Sequence, residues 1–223
     1  MSARGGRGLG GALAVALLAL VGCSAPGSQA QVNPTIGTQS TLTASEQTLL
    51  TALEARPLVI PEMPADGNCP DGPQSKAAPF GANSASYLAA SGGMLYGAGP
   101  VYAIGGGPET DGARYSFFDV TFFTDPTVHG VALFRGQQLD GRYKVAYAGP
   151  WATGSVIGAD KINGQTVTLH SELAVPADRP TSKAGVASGW GEWEIRQAID
   201  KRYNRCTGFQ IDTTAGTEVF VAA

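Results

Sequence analysis

Three cysteines, two histidines and three tryptophans are the residues of this 223-residue chain with the most chemistry to offer. A zinc site normally gathers several His, Cys or carboxylate ligands at close spacing. His129, near Asp125, and His170 sit in no such cluster, so no metal site is expected. Serine catalysis needs a nucleophile beside a base. Gly185-Val186-Ala187-Ser188-Gly189 has its serine one place late for the G-x-S-x-G elbow. A triad of Ser188, His170 and an aspartate stays open, with nothing to single it out. Glu192 and Glu194 flank Trp193, and a carboxyl held against an aromatic can serve as an acid. Surface carboxylates beside a packed tryptophan are far more common. The glycine runs at Gly97-Ala98-Gly99 and Gly105-Gly106-Gly107 lack the strand–helix context of a phosphate loop and read as turns. No catalytic residue and no cofactor is therefore expected. What remains is aromatic: Trp151, Trp190 and Trp193, with Tyr96 and Tyr102. Such rings stack on sugars or anchor a protein partner. Most are expected in the core, with Trp190, between Gly189 and Gly191, the one best placed for exposure.

The elements that would position these residues read mainly as strands. Thr43-Ala44-Ser45-Glu46 fits a capping box, and Leu49, Leu50 and Leu53 follow at helical spacing before Pro57. A short amphipathic helix is expected from Ala44 to Ala55. Pro57 to Gly81 is proline-rich and irregular and carries Cys69. Beyond Gly81 the pattern turns β. Runs at Met94–Tyr96, Val101–Ile104, Tyr115–Phe123, Gly130–Phe134 and Tyr143–Tyr147 are rich in strand formers. Asp140-Gly141 suits a tight turn, and Asn163-Gly164 between Lys161-Ile162 and Gln165–His170 is a hairpin signal. Thr207–Asp212 and Thr217–Val221 form a last pair about a turn at Thr214–Gly216. Trp193–Asp200 fits two periods: alternation suits a strand, whereas Ile195, Ala198, Ile199 and Tyr203 share a helical face, which Glu, Arg, Gln and Ala favour. The helix is preferred on that ground. About eight strands with no alternating helices imply a single antiparallel β-sandwich, Ig-like or jelly-roll-like, with a short N-terminal helix; a small β-barrel is the alternative.

The front of the chain has its own logic. Arg4 and Arg7 precede an apolar run from Leu9 to Gly22, shorter than the roughly 20 residues that span a bilayer. Such a start reads as a secretory signal. Leu20-Val21-Gly22-Cys23 resembles a bacterial lipobox, which implies cleavage before Cys23 and lipid on its sulfur. Two or more acyl chains anchor stably, since each buried CH₂ contributes about 0.8 kcal/mol. The expected organisation is a signal peptide over 1–22, a lipidated cysteine with a flexible tether over 23–42, and a single β-rich domain over 43–223. With Cys23 lipidated, Cys69 and Cys206 are left as an even pair in an oxidising compartment, where a disulfide is the default. Without Arg4 and Arg7, thirteen basic residues face 18 acids, a charge of about −5, and no basic cluster points to nucleic acid.

Ala55-Arg56-Pro57-Leu58-Val59-Ile60-Pro61, then Cys69-Pro70, is similar to the opening of uncharacterised exported proteins of high-GC bacteria. Val131–Gly141 and Cys206–Asp212 resemble the same group in patches, although Arg205 and Thr207 stand where a glycine and an aromatic are usual. The resemblance implies a β-sandwich with a disulfide and no established activity. The expected function is a membrane-anchored, extracytoplasmic lipoprotein with a non-enzymatic binding or structural role in the cell envelope. Its partners would be the membrane, through Cys23, and an envelope protein or a glycan. The rivals are a secreted hydrolase with an unrecognised site and a carrier for a small ligand. A lined cavity would favour the carrier, a pocket with a histidine or paired carboxylates the hydrolase, and a closed core with an aromatic face the binder.

Overall fold

The computed structural model describes residues 42–70, 95–104, 110–141, 143–177, 190–203 and 206–222. One helix, α1 (Ala44–Glu54), precedes eleven strands: β1 (Leu95–Tyr96), β2 (Val101–Ile104), β3 (Thr110–Asp111), β4 (Tyr115–Thr124), β5 (Val131–Gln138), β6 (Ala146–Ala148), β7 (Ala152–Ile162), β8 (Gln165–Pro176), β9 (Gly191–Asp200), β10 (Thr207–Thr213) and β11 (Gly216–Ala222). All pair antiparallel in one sheet, in the order β1-β2-β4-β9-β6-β8-β5-β10-β11, with β3 on β4 and β7 on β8. The chain is thus mainly β, as its composition implies. Of the two expected architectures it is the barrel alternative that the sheet approaches: one sheet curls until its edge strands β1 and β11 lie against each other, nearly a barrel. A long sheet can shelter its edges this way without a second layer.

Period two fills the inside. Val120 and Phe122 of β4, Trp193 and Ile195 of β9, Phe134 of β5 and Phe209 and Ile211 of β10 share one buried cluster. Trp193–Asp200, expected as a helix, is strand β9, paired residue for residue with β4 from Tyr115↔Asp200 to Thr124↔Gly191. Ladder and core override the local helical preference. The Asn163-Gly164 hairpin forms as the sequence implies, with positive φ at both residues (50° and 81°). The last hairpin also forms, with Thr213↔Gly216 its closing pair. The fifth expected run is shorter and later than read, as β6 begins at Ala146.

Helix α1 covers the outer face. Thr43 and Glu46 exchange both bonds of the capping box, with Thr43 N–H donating to Glu46 at 2.6 Å. Leu50 and Leu53 pack on Val131, Leu133 and Ala174, the outward residues of β5 and β8. The arm after α1 runs along β10. Val59 N–H donates to Gln210 Oε1 at 2.5 Å, and Gln210 Nε2 donates to the Pro57 carbonyl at 3.0 Å. Beneath it Asp212, fully buried, accepts from Arg135 and from Thr217, and Arg135 also donates to the Arg56 carbonyl. The arm ends at a Cys69–Cys206 disulfide, sequence separation 137.

Two carboxylates close the remaining seams. Asp160, on β7, reaches the turn between β3 and β4 and accepts N–H bonds from Ala113, Arg114 and Tyr115 at 2.9–3.0 Å. This draws the β7–β8 hairpin over the outer face of β4 and β9, where Tyr115, Phe117, Ile162, Leu169 and Ala198 form a second cluster. Glu218, on β11, accepts from Ala98 at 2.5 Å, Gly99 at 3.0 Å and Val101 at 3.2 Å. It joins the last strand to the β1–β2 turn, beside stacked Tyr96 and Phe220 rings. A Cβ at Gly97, whose φ is +100°, would lie 2.6 Å from the Val101 carbonyl oxygen and 2.9 Å from Glu218 Oε1. Only glycine leaves room for that closure.

Candidate binding cleft at the barrel mouth

Ser116 and Phe118 share the inward face of β4 with Val120 and Phe122, and pair with Ile199 and Gln197 of β9. Near Val120 that face is packed. Towards Ser116 it opens into a cleft of about 340 Å³ lined by Asp111, Ser116, Phe118, Ile199, Asp200, Lys201 and Tyr203. The floor is apolar, from Phe118 and Ile199, and the rim is polar. The rim charges are mutually satisfied. Asp200, 1% exposed, accepts from Arg202 and from Arg114 Nε at 2.8 Å. The hydrogen bond from Arg202 leads in holding the Asp200 carboxyl well below the usual carboxylate range, against its burial. Lys201 Nζ lies 2.8 Å from Asp111 and donates to the Gly112 carbonyl. Gln138, wholly buried beneath, exchanges both amide bonds with the Asp200 backbone.

Beside the cleft stands an aromatic pair. The Tyr143 and Tyr203 rings stack with centroids 4.1 Å apart, and the Arg202 guanidinium lies over both at 5.6 and 5.5 Å. A side-chain hydrogen bond with Tyr143, in which the Tyr203 hydroxyl is held protonated, is the first cause raising Tyr203 above its ordinary range. Gly141 makes the pair possible. A Cβ there would lie 2.7 Å from Tyr203 Cδ1 and 2.8 Å from Tyr143 Cδ2. The turn expected at Asp140-Gly141 is present, but its glycine is required by the rings above it.

Deeper on the same face runs a polar row. Phe118 pairs with Gln197, Gln197 with Tyr147 of β6, and Tyr147 with His170 of β8. Gln197 is 5% exposed and Tyr147 fully buried. Gln197 Oε1, Tyr147 OH and His170 Nδ1 are buried and have no hydrogen-bond partner among the described residues. Burial pushes the Tyr147 hydroxyl far up, with the Glu172 carboxylate adding to it, so it stays a neutral phenol. Unpaired buried polar atoms cost free energy, and here three fall on successive register neighbours.

The residues singled out by type fall elsewhere. Trp193 is 2% exposed and belongs to the core, so it presents nothing to a partner. As β9 is a strand, Glu192 and Glu194 point away from Trp193, which dissolves the carboxylate–tryptophan arrangement. Trp151 packs edge-on against Trp193 at 6.0 Å and is half-buried. Trp190, expected in the open, is half-buried against Tyr102 at 5.9 Å, at the opposite end of β9 from the cleft. Cys69 and Cys206 form the expected disulfide. Cys23 and Ser188 lie outside the described residues. His129 is exposed, and His170 belongs to the inner row. Among the described residues no group of three His, Cys, Asp or Glu could hold a metal, and no helix is long and apolar enough to cross a membrane. Tyr143, Tyr203, Phe118, Gln197 and Tyr147 were not legible as a site. They come from three separate stretches, and only the pairing of β4, β9 and β6 brings them together.

No protein-family model, curated protein or solved structure matches this chain.

Proposed function

We propose that the chain is an exported lipoprotein, anchored through lipid on Cys23, whose barrel is a non-enzymatic binding module of the cell envelope. The observation that carries the reading is the Cys69–Cys206 disulfide. Such bonds persist in oxidising compartments, which a chain with a signal segment over residues 1–22 would reach. The bond also accounts for the two cysteines other than Cys23. The binding half of the reading rests on the mouth. A fixed aromatic pair with an arginine over it stands next to a mixed apolar and polar cleft, on a barrel whose core is otherwise filled. A rigid aromatic surface costs little conformational entropy when it binds.

Mass spectrometry of the membrane-extracted protein tests the anchor: an acylated peptide beginning at Cys23 is expected, and Cys23→Ala should leave the chain unprocessed. An unmodified mature terminus elsewhere removes the anchor. Capture from envelope extract tests the module: retained partners should be lost in Tyr203→Ala. Turnover of ester, glycoside or peptide substrates that disappears on mutating Ser188, His170 or Glu192 would replace the module with a hydrolase.

A further inference from the structure

We propose that the mouth cleft takes a neutral saccharide, one or two rings in size, resting on Phe118 and Tyr203 and hydrogen-bonded inward by Gln197. This deepens the binding reading above and rests on it. A pyranose ring has an apolar face of C–H groups and an equatorial edge of hydroxyls. It therefore suits a site that offers aromatic surface and hydrogen-bonding groups together. The cleft offers both. Phe118, Ile199 and Tyr203 are apolar or aromatic surface, and Asp111 and Ser116 are polar groups at the rim. Its volume, about 340 Å³, accommodates an object of this size.

Charge decides against an ionic ligand. Among the described residues, the two acids, Asp111 and Asp200, are matched by Lys201, Arg114 and Arg202 in bonds of 2.7–2.8 Å. A cationic ligand would find both carboxylates already taken, and an anionic one would have to share those cations with the carboxylates they already hold. A hydroxyl need break none of those pairs. Paired with Phe118 across the β4–β9 ladder is Gln197, more than nine-tenths buried, its Oε1 an acceptor with no donor among the described residues. Tyr147 OH and His170 Nδ1 continue the row beyond the cleft lining, also without partners among the described residues. A ligand that brings a hydroxyl donor to Gln197 would satisfy its Oε1; a purely apolar ligand would leave it unsatisfied.

The test is calorimetric titration of the full chain, solubilised in a polyoxyethylene detergent so that no sugar headgroup competes. The probes are maltose, N-acetylglucosamine, glucuronate, glucosamine at pH 6 and cyclohexanol. Saturable binding of maltose or N-acetylglucosamine at about 5 mM or below is expected, with glucuronate, protonated glucosamine and cyclohexanol at least about tenfold weaker. Tyr203→Ala should weaken the sugar by about 3- to 10-fold, and Tyr203→Phe should retain it. Gln197→Leu should weaken it by a similar factor, in protein whose far-ultraviolet dichroism is unchanged. Trp190→Ala, at the far end of β9, should leave it as it was. Should Gln197→Leu not fold, the Tyr203 pair alone decides. No sugar binding, a preference for a charged probe or for cyclohexanol, or binding unmoved by Tyr203→Ala each overturns the proposal. If sugars fail while Tyr203-dependent capture from envelope extract persists, the ligand class is wrong and the binding module stands. If both fail, both readings fall.

Discussion

Asp160 and Glu218 do the same job at two seams, and their acidities move in opposite directions. Each is a carboxylate on a strand that collects backbone N–H groups from a turn elsewhere in the chain. At Asp160 burial pushes the carboxyl up, but N–H donors from Arg114, Tyr115, Lys161 and Ala113 together prevail, and it is lowered. At Glu218 burial comes first again, and the donors from Gly99, Val101 and Ala98 do not overcome it, so it is raised. At Asp160 four donors outweigh the lost water; at Glu218 three donors do not. A carboxylate among amides is not in itself a stabilised anion. It becomes one only where the donors outweigh the lost water. The Asp160 seam is therefore held by charge, whereas the Glu218 seam is held by hydrogen bonding and the rings beside it, in spite of charge.

The comparison can be broken in order of size. The largest effect is expected from cutting the disulfide, whose loop-closure arithmetic sets a ceiling of about 5 kcal/mol, less any strain. Cys206 adjoins β10, and Cys69 Sγ lies 3.9 Å from the Ala222 carbonyl oxygen on β11. Cys69→Ser/Cys206→Ser should therefore raise amide exchange at Ala98–Val101 before it does so at Ala113–Tyr115. Equal loosening of the two seams would contradict this. Next, Asp160→Ala leaves three turn N–H groups without their acceptor and should cost about 2–3 kcal/mol by urea titration. Gly97→Ala forces a Cβ onto the Val101 carbonyl at positive φ, and about 2 kcal/mol is expected. Glu218→Gln keeps an acceptor and removes the buried charge, so it should change stability at neutral pH by within about 1 kcal/mol.

The smallest and sharpest test is the pH dependence. Asp160 is lowered in the folded state, so its contribution is complete above its unfolded value, about 3.9, and is lost as pH falls through the lower folded value. Glu218 is raised, so the folded state takes up its proton first. Its charge penalty is relieved as pH falls through the folded value towards the unfolded one, about 4.3. Between pH 7 and pH 4.5, wild type should gain stability relative to Glu218→Gln. Below about pH 4 its advantage over Asp160→Asn should shrink. Parallel pH profiles for wild type and both variants would refute the contrast.

Local signals were legible where the chemistry is local. The Thr43–Glu46 capping box, the Asn163-Gly164 turn and the β-rich run from Tyr115 each form where their residues place them. Trp193–Asp200 misled because its helical face and its strand alternation use some of the same residues, and the ladder with β4 decides between them. The single curled sheet could not be told from two packed ones, since both demand the same alternation in every strand. Neither seam left a sequence signal. Asp160 meets a turn 45–47 residues away and Glu218 one 117–120 residues away, and a lone Asp or Glu on a strand otherwise reads as solvent-facing. The mouth was hidden for the same reason. Tyr143 and Tyr203 are ordinary residues until Gly141 and the strand order stack them.

The disulfide also sets how the molecule would answer a pull. Tension arriving through the chain ahead of Leu42 would first peel α1 from β5 and β8, then unzip the arm from Gln210 and Asp212. The peeling would stop at Cys69, where the load passes covalently into Cys206 and β10. The stretch from 42 to 69 would release roughly 90 Å of extended chain before the barrel bore any force. Were the chain held by its N-terminal end, as proposed, that clasp would be a shock absorber with a fixed stop.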